Sequence, residues 1–590
     1  MALPITLTEA LAGAASAIPD IEAHRDLATG RFITYRQWAD SSSDVAHGLI
    51  DRGICRDSRV GLVFTSREFC DFAVSLFGVL KAGAIPCLVS ASASRSEVLD
   101  IVTRYRIAGC IVGAGVQLTG HQVPVVWRLA DLSPLSWSGA LPYRPPHAIA
   151  AVIQTSGTTF APKGVAIPDA NLLHGRVWSD SDWRARSLSG SYLHMADPAT
   201  NYGFGAVIQG LVASRDSQLP LNRRSAVAVG DFSPRAVVDA IQATKPTAMC
   251  LVPTVMRALI EADELRPSDT SSIRILSLIG SLVTRSLARA TVQAFPQTLV
   301  LTRYGSTESA PESTCVVGAA GPEGIIGWPG LGSRYAVVST EGGSAGEGEI
   351  ALLNAHGRPA RWYLDDPAST AERFSSGWIR MGDVGRIADD GSLLLIDRLS
   401  DRVNRGGRKV STVEVEAALQ VHPAVQEIAI YGIPDDLLGQ ELAAAVVLRE
   451  GTELSLPELR QFGRGRLSAW KLPRYLEVLS ALPRNSMGKV VKAALPHPSR
   501  EGVAKQSSVA DSIKRCWTRL LGTPVRPGDF DFFDQGGDSL LAMEMVACIE
   551  KSAGIRLDPA DVYRNPRIDD LVLVANHVVG EVRDHTIVDE

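Results

Sequence analysis

The stretch with the clearest chemical potential is a loop of small hydroxyl residues and glycine that ends in a lysine. It follows an apolar run, Ala148 to Ile153, that predicts a buried strand, and it reads Thr155-Ser156-Gly157-Thr158-Thr159-Phe160-Ala161-Pro162-Lys163. Such a loop can turn several backbone N–H groups and hydroxyls toward one point, with Lys163 as a charge beside them. The natural ligand is a polyphosphate. The spacing is not that of a Walker A loop, and a Ser/Thr/Gly loop alone is more often a solvated turn.

The segment Thr155 to Gly164 resembles the phosphate loop of the acyl-adenylating superfamily. That superfamily includes acyl-CoA synthetases, luciferases and the adenylation domains of non-ribosomal peptide synthetases. The resemblance implies that the phosphates of ATP are bound by Thr155, Ser156, Gly157, Thr158, Thr159 and Lys163. Phe160 stands where the family usually has glycine, and its side chain could stiffen or reposition the loop.

Two further motifs resemble the nucleotide-binding elements of the same superfamily. Tyr304-Gly305-Ser306-Thr307-Glu308 matches the pattern Tyr-Gly-x-Thr-Glu. The match implies that Tyr304 packs near adenine, Thr307 touches the α-phosphate and Glu308 holds Mg²⁺, an ion that prefers one or two carboxylates plus phosphate oxygens. The second motif ends in Asp383, which is expected to accept both ribose hydroxyls, since one carboxylate can receive two O–H donors. Met381 stands where the family commonly has Thr.

The candidate acyl pocket centres on Asn201 and Tyr202, with Gly280 and Ser281 assigned to the same pocket. In amino-acid-activating relatives an aspartate at the position of Asn201 pairs with the substrate ammonium. CoA ligases typically carry a histidine one place earlier, where this chain has Thr200. Asn followed by an aromatic residue resembles enzymes that load hydroxybenzoates onto carrier proteins. Because burial of an ammonium without a carboxylate is costly, Asn201 favours an aryl acid, although it could equally be a turn residue.

The C-terminal part of the adenylating resemblance supplies a hinge and a catalytic lysine. In Asp397 to Arg402 the family changes domain, so Arg398 is expected to reach the ribose or a phosphate. Ser400 falls at the hinge position, where relatives carry Asp or Lys. Gly407 marks the stretch that faces the pantetheine tunnel in the thioester-forming state. Lys489, at the end of Pro-Arg-Asn-Ser-Met-Gly-Lys, is expected to bridge the acyl carboxylate and the α-phosphate.

A different signature follows near the C-terminus. Gly536-Gly537-Asp538-Ser539-Leu540 resembles the attachment motif of acyl and peptidyl carrier proteins, which implies that Ser539 carries 4′-phosphopantetheine. A serine at a helix start is more often an N-cap. The preceding Phe532-Phe533 and the glycine pair favour the carrier interpretation. A phosphopantetheinyl transferase is then required as a partner.

The elements that must position these residues predict an α/β fold. Strands alternate with helices near the N-terminus, as where Arg59 to Phe64 predicts a buried strand and Phe72 to Leu80 an apolar helix. This alternation indicates a largely parallel sheet. We expect a large, multi-sheet adenylation subdomain at 1–396, a hinge at 397–400 and a small α/β subdomain at 401–495. A polar linker at 496–508 and a four-helix carrier domain at 509–580 complete the predicted organisation, with an amphipathic first carrier helix at Val509 to Leu521.

Composition narrows the function classes. The 590 residues are 45% hydrophobic and 21% charged, with a net charge of −5, which is typical of a soluble globular chain. A nucleic-acid partner would require a basic surface, so we expect no nucleic-acid partner. We also expect neither a signal peptide nor a membrane helix. Eight scattered cysteines without a C-x-x-C pair predict neither a zinc site nor a disulfide framework, so a reducing cytoplasm is the expected location.

Together these features predict ATP- and Mg²⁺-dependent activation of a small carboxylic acid as acyl-AMP. The acyl group then passes to the pantetheine thiol of the fused carrier in a secondary-metabolite pathway. No protein nucleophile is needed, and a condensation, ketosynthase or acyltransferase partner would take the product in trans. One alternative is an α- or β-amino acid substrate, with a pocket carboxylate from Asp197. Another is a degenerate binding scaffold, suggested by Phe160, although Glu308, Asp383 and Lys489 argue against it.

Overall fold

The computed structural model describes most of the chain as two compact units, the first extending to Leu395 and the second beginning at Ile396. The described residues are 6–118, 123–133, 139–155, 163–173, 190–211, 225–230, 233–262, 264–266, 269–281, 283–316, 325–329, 334–339, 346–353, 360–406, 408–435, 438–484, 490–497, 509–522, 531–533, 535–537 and 539–585.

One sheet of the first unit carries the strand that precedes the phosphate-type loop. Its strands, in spatial order, are Trp362–Tyr363, Gly164–Pro168, Ile149–Gln154, Ile85–Ser90, Arg59–Phe64, Gly109–Val112 and Val126–Trp127. From Ile149–Gln154 onward the neighbours are parallel, so the largely parallel sheet is confirmed here. Gly164–Pro168 returns antiparallel from the loop.

A second, larger sheet carries the nucleotide motifs and the candidate acyl pocket. Its strands, in spatial order, are Arg334–Ser339, Gly348–Leu353, Trp378–Ile387, Leu393–Arg398, Ile325–Pro329, Ala310–Val316, Leu299–Ser306, Ile275–Ile279, Ala248–Leu251, Tyr192–His194, Ala226–Ala228, Glu22–Asp26 and Phe32–Thr34, with Phe374–Ser375 beside Trp378–Ile387. The run from Leu299–Ser306 to Glu22–Asp26 is parallel.

Helices cover these sheets. The α-helices in the described part of the first unit are Leu7–Ala17, Tyr35–Asp51, Phe69–Lys81, Arg95–Arg104, Asp169–Leu173, Asn201–Ile208, Pro234–Thr244, Pro253–Glu261, Arg285–Ala294 and Pro367–Arg373, with 3-10 turns at Leu129–Leu132 and Asp269–Ser272. Several begin at local sequence caps, as where Thr6 and Glu9 form a capping box. The start of the third helix differs from its prediction by three residues, because the helix predicted from Phe72 begins at Phe69. The buried carboxylate of Asp26, on a distant strand, accepts the N–H groups of Phe69 and Cys70, each at 3.0 Å.

The second unit contains the predicted small α/β subdomain and the helical carrier domain. The small subdomain has strands Val403–Arg405, Arg408–Val410, Val425–Asp435, Gly439–Leu448 and Tyr475–Val478, helices Thr412–Leu419 and Leu456–Arg464, and 3-10 turns Ala469–Lys471 and Lys492–Ala494. The carrier helices are Val509–Leu521, Ser539–Ala553, Pro559–Arg564 and Ile568–His585. They enclose an apolar core around Trp517 and Phe532. The predicted fold class is confirmed in both parts.

The cysteine prediction requires a correction. Cys516 and Cys548, on the first two carrier helices, form a disulfide with a Cα–Cα distance of 5.9 Å. Their separation of 32 residues matches no local motif, so only the packing of the two helices brings them together. Within the described part of the chain, no helix is long and apolar enough to cross a membrane.

Candidate active site

The carboxylate of Glu308 lies in a buried setting just after the strand Leu299–Ser306. Its Oε1 accepts a 2.7 Å hydrogen bond from the Tyr363 hydroxyl, and the Arg373 guanidinium lies 3.7 Å away. Burial, and then the negative charge of Glu308, raise the pKa of Tyr363. The phenol therefore stays protonated at neutral pH and holds one carboxylate oxygen in place.

A second tyrosine–carboxylate pair lies on two strands of the same sheet. The hydroxyl of Tyr304 donates to Asp383 Oδ2 at 2.8 Å. Burial, followed by the charge of Asp383, raises the pKa of Tyr304 well above its ordinary value. The structure thus brings together two residues that the sequence assigned separately to adenine and ribose.

Arg373 connects the surroundings of the two carboxylates. Its Nη2 donates to the Met381 carbonyl at 3.0 Å, while the same guanidinium faces Glu308. Gly382 follows with a φ of +71°, and a Cβ there would lie 3.2 Å from Arg373 Nη1. A side chain at this position would be both strained and crowded, so glycine fits the turn beside Asp383.

Hydrogen bonds hold together the two described ends of the phosphate-type loop, Thr155 and Lys163. The Thr155 N–H donates to the Lys163 carbonyl at 2.8 Å, and the Lys163 N–H donates to Thr155 Oγ1 at 3.3 Å. The Lys163 ammonium donates to the Ser369 hydroxyl and lies 5.1 Å above the Tyr363 ring centre. Lys163 and Glu308 therefore both contact the same side chain, that of Tyr363.

Asn201 is the first residue of a helix, directly after the N-cap Thr200. Its Oδ1 lies 3.4 Å from a guanidinium nitrogen of Arg361, whose residue is 2% exposed. The same guanidinium donates to the Thr307 carbonyl at 2.6 Å and to Asn171 Oδ1 at 2.9 Å. Arg361 therefore connects the candidate acyl pocket to the motif assigned to the α-phosphate.

The other pocket candidates contact or follow two neighbouring parallel strands near their carboxyl ends, the edge at which α/β sheets bind ligands. Tyr202 donates its hydroxyl to the Cys250 carbonyl. Gly280 follows the next strand with a φ of +90°, and its ideal Cβ position lies 3.6 Å from Val252. Ser281 is exposed beside it.

Asp197 serves a local structural role. Its Oδ1 accepts the Ala199 N–H at 2.8 Å, and its Oδ2 accepts the Ser90 hydroxyl at 3.2 Å. The Asp197 carbonyl also receives the N–H and hydroxyl of Thr200. Burial raises the pKa of the Asp197 carboxyl, and its two oxygens hold the turn that leads into the pocket helix.

The remaining candidate residues lie outside the described part of the first unit. Ser156, Gly157, Thr158, Thr159, Phe160, Gly407 and Lys489 lie outside the described residues. Arg398 and Ser400 belong to the second unit, where the Ser400 hydroxyl donates to Asp401 Oδ1 at 2.8 Å. Ser539 begins the second carrier helix, as predicted.

Three residues that contact the candidate site were missed by sequence reasoning. Arg361, Tyr363 and Arg373 all lie between the Glu308 and Asp383 motifs. A signal was available in Arg361-Trp362-Tyr363, because an arginine within an apolar and aromatic run must satisfy its charge where it packs. Without the fold, however, that run does not reveal which carboxylate or carbonyl it meets.

The polar and charged side chains around Glu308 fit a nucleotide bound with a divalent cation. A buried carboxylate such as Glu308 is one of the ligands that Mg²⁺ prefers beside phosphate oxygens. Among the described residues, the buried Ser306 hydroxyl and the buried amide of Gln154, next to Thr155, have no hydrogen-bond partner. Buried polar groups normally have partners, so these atoms suit a polar ligand.

The first unit combines two α/β sheets with a phosphate-type loop and paired carboxylates, and a small α/β subdomain and a helical bundle follow it. This combination is that of an adenylate-forming ligase fused to a carrier domain. The chain belongs to the AMP-binding enzyme family, whose profile matches residues 11–357. The family's C-terminal domain matches residues 414–489, and a phosphopantetheine attachment site matches residues 511–574. The chain is therefore an adenylation domain fused to a carrier domain, and it acts as an acid–thiol ligase that uses ATP, Mg²⁺ and 4′-phosphopantetheine.

Individual relatives are distant. A fatty acid–[acyl-carrier-protein] ligase of Streptomyces coeruleorubidus is 28% identical over 502 residues, which cover 80% of this chain and 92% of that protein. A 4-chlorobenzoate–CoA ligase of Arthrobacter is 28% identical over 83% of this chain and 94% of the ligase. Tyrocidine synthase 2 of Brevibacillus parabrevis is 26% identical over 92% of this chain, which spans 15% of that synthase.

The solved structures share the fold. The o-succinylbenzoate CoA synthetase of Bacillus subtilis, in complex with its acyl-adenylate intermediate, matches with a TM-score of 0.71 at 21% identity. The match covers 84% of this chain and 99% of the synthetase.

Proposed function

We propose that the chain activates a carboxylic acid that lacks an α-ammonium group, with an aryl acid of the hydroxybenzoate type as the first candidate, and loads it onto its own carrier domain. The observation that carries this proposal is the contact of the buried Arg361 guanidinium with Asn201 Oδ1. A substrate ammonium bound to Asn201 would lie roughly 5 Å from that positive charge. At an effective dielectric constant of about 20, the repulsion would be about 3 kcal/mol.

The role of Asp197 supports the same conclusion. An amino acid substrate needs a carboxylate partner in the pocket, and Asp197 was the candidate for that partner. Both of its carboxylate oxygens already accept hydrogen bonds within the turn Asp197–Thr200 and from Ser90. A substrate ammonium would have to compete with these bonds, which would open the turn before the pocket helix.

Two of the relatives are named for acids of the same kind. The two ligases at 28% identity are named for a fatty acid and for 4-chlorobenzoate, neither of which carries an amino group. A fatty or other aliphatic acid is therefore the second candidate substrate, because Asn201 and Arg361 would tolerate it for the same electrostatic reason.

For the adenylation step we assign each role to a group of this chain. The phosphate-type loop would hold the departing pyrophosphate through Thr155, Ser156, Gly157, Thr158, Thr159 and Lys163. Tyr304 and Asp383 would hold adenosine, and Thr307 the α-phosphate. Lys489 would align the acid carboxylate with that phosphate and offset their repulsion. Bound to Glu308, Mg²⁺ would supply further charge neutralisation.

The second half-reaction uses the C-terminal third of the chain. We propose domain boundaries at 1–396, 401–495 and 509–580, with the hinge at 397–400 and the linker at 496–508. Rotation about Ser400 would withdraw Lys489 and bring the stretch around Gly407 to the pantetheine tunnel, while Arg398 contacts the nucleotide. Ser539 would carry phosphopantetheine, whose thiol attacks the acyl carbonyl of the adenylate to form a thioester and release AMP.

The proposed partners follow from this chemistry. A phosphopantetheinyl transferase must modify Ser539, and a condensation, ketosynthase or acyltransferase enzyme would take the acyl group in a secondary-metabolite pathway. We place the reaction in the cytoplasm, where ATP is available.

ATP–pyrophosphate exchange with aryl, aliphatic, α-amino and β-amino acids tests the substrate class. We expect the strongest exchange with an aryl acid, whereas turnover confined to amino acids would overturn the proposal. Asn201→Asp should shift preference toward a substrate with an amino group.

Two variants test the assigned steps. Lys489→Ala should abolish exchange while sparing acyl transfer from a supplied adenylate, and equal loss of both would contradict its role. Ser539→Ala should retain exchange and prevent covalent loading. Pantetheine incorporation into that variant would show that attachment occurs elsewhere.

A further inference from the structure

A buried network of four charges connects the small subdomain to the carrier domain within the second unit. Arg405 contacts Glu441 through two hydrogen bonds of 2.7 and 2.9 Å. Its guanidinium also contacts Glu544, on the carrier helix Ser539–Ala553, at 3.2 Å. Arg474 lies between the same two carboxylates, 3.2 Å from Glu441 and in direct contact with Glu544. All four side chains are less than a tenth exposed.

A second contact lies at the end of the first carrier helix. Arg460 donates to the Leu520 carbonyl at 3.3 Å, and Arg464 donates to the Leu521 carbonyl. The last carbonyls of a helix lack intrahelical donors and carry partial negative charge, so cations stabilise them. Gly522 follows with a φ of +65°, and a Cβ there would lie 2.2 Å from Arg460 Nε. Glycine therefore allows this close approach.

A third contact involves the loop that precedes the attachment serine. The ideal Cβ position of Gly536 is 3.7 Å from the Ala469 Cβ of the small subdomain. Gly536 is three residues before Ser539 and Glu544 is five residues after it. The small subdomain therefore contacts the carrier on both sides of the attachment position along the chain.

From these contacts we infer that Arg405, Arg460, Arg464 and Arg474 form a docking face for the chain's own carrier domain, and that this face selects a carrier with a carboxylate at the position of Glu544. The inference rests on the proposed carrier role of Ser539. The charges give the physical reason for selection. Without Glu544, Glu441 alone would face the positive charges of Arg405 and Arg474 in a buried setting. Removal of one partner from a buried ion network is strongly unfavourable.

The docking face also lies next to the part of the small subdomain assigned to thioester formation. Arg405 ends the strand Val403–Arg405 and is two residues before Gly407. A carrier held by Arg405 therefore turns with the small subdomain when the hinge rotates. The expected consequence of a lost contact is slow acyl loading with normal adenylation.

The test compares Glu544→Lys with Glu550→Lys in the full chain. Glu550 lies on the same helix but is exposed, so its variant makes the same charge change outside the contact. We expect Glu544→Lys to slow acylation of the pantetheinylated protein at least tenfold, as followed by intact-protein mass spectrometry. ATP–pyrophosphate exchange should stay within twofold of the parent chain, and Glu550→Lys should match the parent in both assays.

Two further measurements separate docking from folding. Both variants should accept pantetheine from a phosphopantetheinyl transferase at the parent rate, which shows an intact carrier. Hydrogen exchange should rise around 403–410 and 456–464 in Glu544→Lys only. Normal loading and unchanged hydrogen exchange in Glu544→Lys would overturn the docking face while leaving the proposed function intact. Absence of acylation in the parent chain would instead count against the proposed function, and hydrogen exchange would still decide the docking contact.

Discussion

Tyr363→Phe removes one hydroxyl and keeps the ring, so it isolates the hydrogen bond that holds Glu308. The bond is 2.7 Å long and its acceptor is a buried carboxylate. A hydrogen bond to a charged group contributes about 1.5–3 kcal/mol, which corresponds to roughly 10- to 150-fold in an equilibrium or rate constant. If Glu308 holds Mg²⁺, that loss should appear in the Mg²⁺ dependence of adenylation.

The assay is ATP–pyrophosphate exchange at fixed ATP and acid, titrated with Mg²⁺. We expect Tyr363→Phe to raise the half-maximal Mg²⁺ concentration, to lower the maximal rate, or both, by a combined factor in that range. The phenylalanine ring can retain the edge contact with Phe374, whose ring centre is 5.6 Å away. Packing is therefore largely preserved.

Tyr304→Phe is the matched control, because it removes the hydroxyl that contacts Asp383. Since Asp383 is assigned to the ribose, this variant should raise the KM for ATP without moving the Mg²⁺ midpoint. If Tyr363→Phe changes neither the Mg²⁺ midpoint nor the maximal rate by more than threefold, the reasoning that Tyr363 positions a metal-binding carboxylate is refuted.

Three further predictions concern stability. Asp26→Ala should destabilise the first unit by about 1–3 kcal/mol in denaturant unfolding, because two N–H groups of the helix Phe69–Lys81 lose their acceptor, whereas Asp26→Asn retains one acceptor and should cost less. Burial raises the pKa of Asp397 to about 6 from 3.8, so its stabilising contribution is complete below pH 4 and is lost as pH rises through 6. As the pH rises from 5 to 7.5, the free energy of unfolding of Asp397→Asn should therefore gain about 1–1.5 kcal/mol relative to that of the parent. An equal difference between variant and parent at both pH values would contradict the assignment. Reduction of the disulfide Cys516–Cys548, which closes a loop of 32 residues, should destabilise the carrier by about 3–4 kcal/mol. Thermal unfolding with and without dithiothreitol measures this loss. The variant with serine at both positions should unfold at the same temperature with and without dithiothreitol.

The sequence predicted most elements because each carries its own local signal. The strand Arg59–Phe64 is an apolar run after its first residue, and the carrier helix Val509–Leu521 is amphipathic, so their bounds were predicted as the structure has them. The start of the helix Phe69–Lys81 was missed because its cap comes from Asp26, more than 40 residues earlier. A cap supplied through tertiary structure has no signature in the neighbouring residues.

The candidate site divides in the same way. Glu308 and Asp383 could be proposed as site residues because contiguous motifs contain them. Tyr363 was missed because its contact with Glu308 depends on where an edge strand of the other sheet lies. The aspartate alternative shows the reverse case. Asp197 is a plausible ammonium partner by its position in the sequence, and only its hydrogen bonds to Ala199 and Ser90 show that its oxygens are already engaged.

The chemistry of the docking face suits a carrier that must both arrive and leave. Burial of Arg405, Arg474 and Glu544 removes charges from water, and this desolvation cost offsets much of their mutual attraction. The net affinity of such a contact is small, yet a mismatched charge would be strongly disfavoured. The covalent linker raises the effective concentration of the carrier, so tight binding is unnecessary. Tethering thus supplies occupancy, while the charges supply register and partner selection, and the carrier remains free to deliver its acyl group elsewhere.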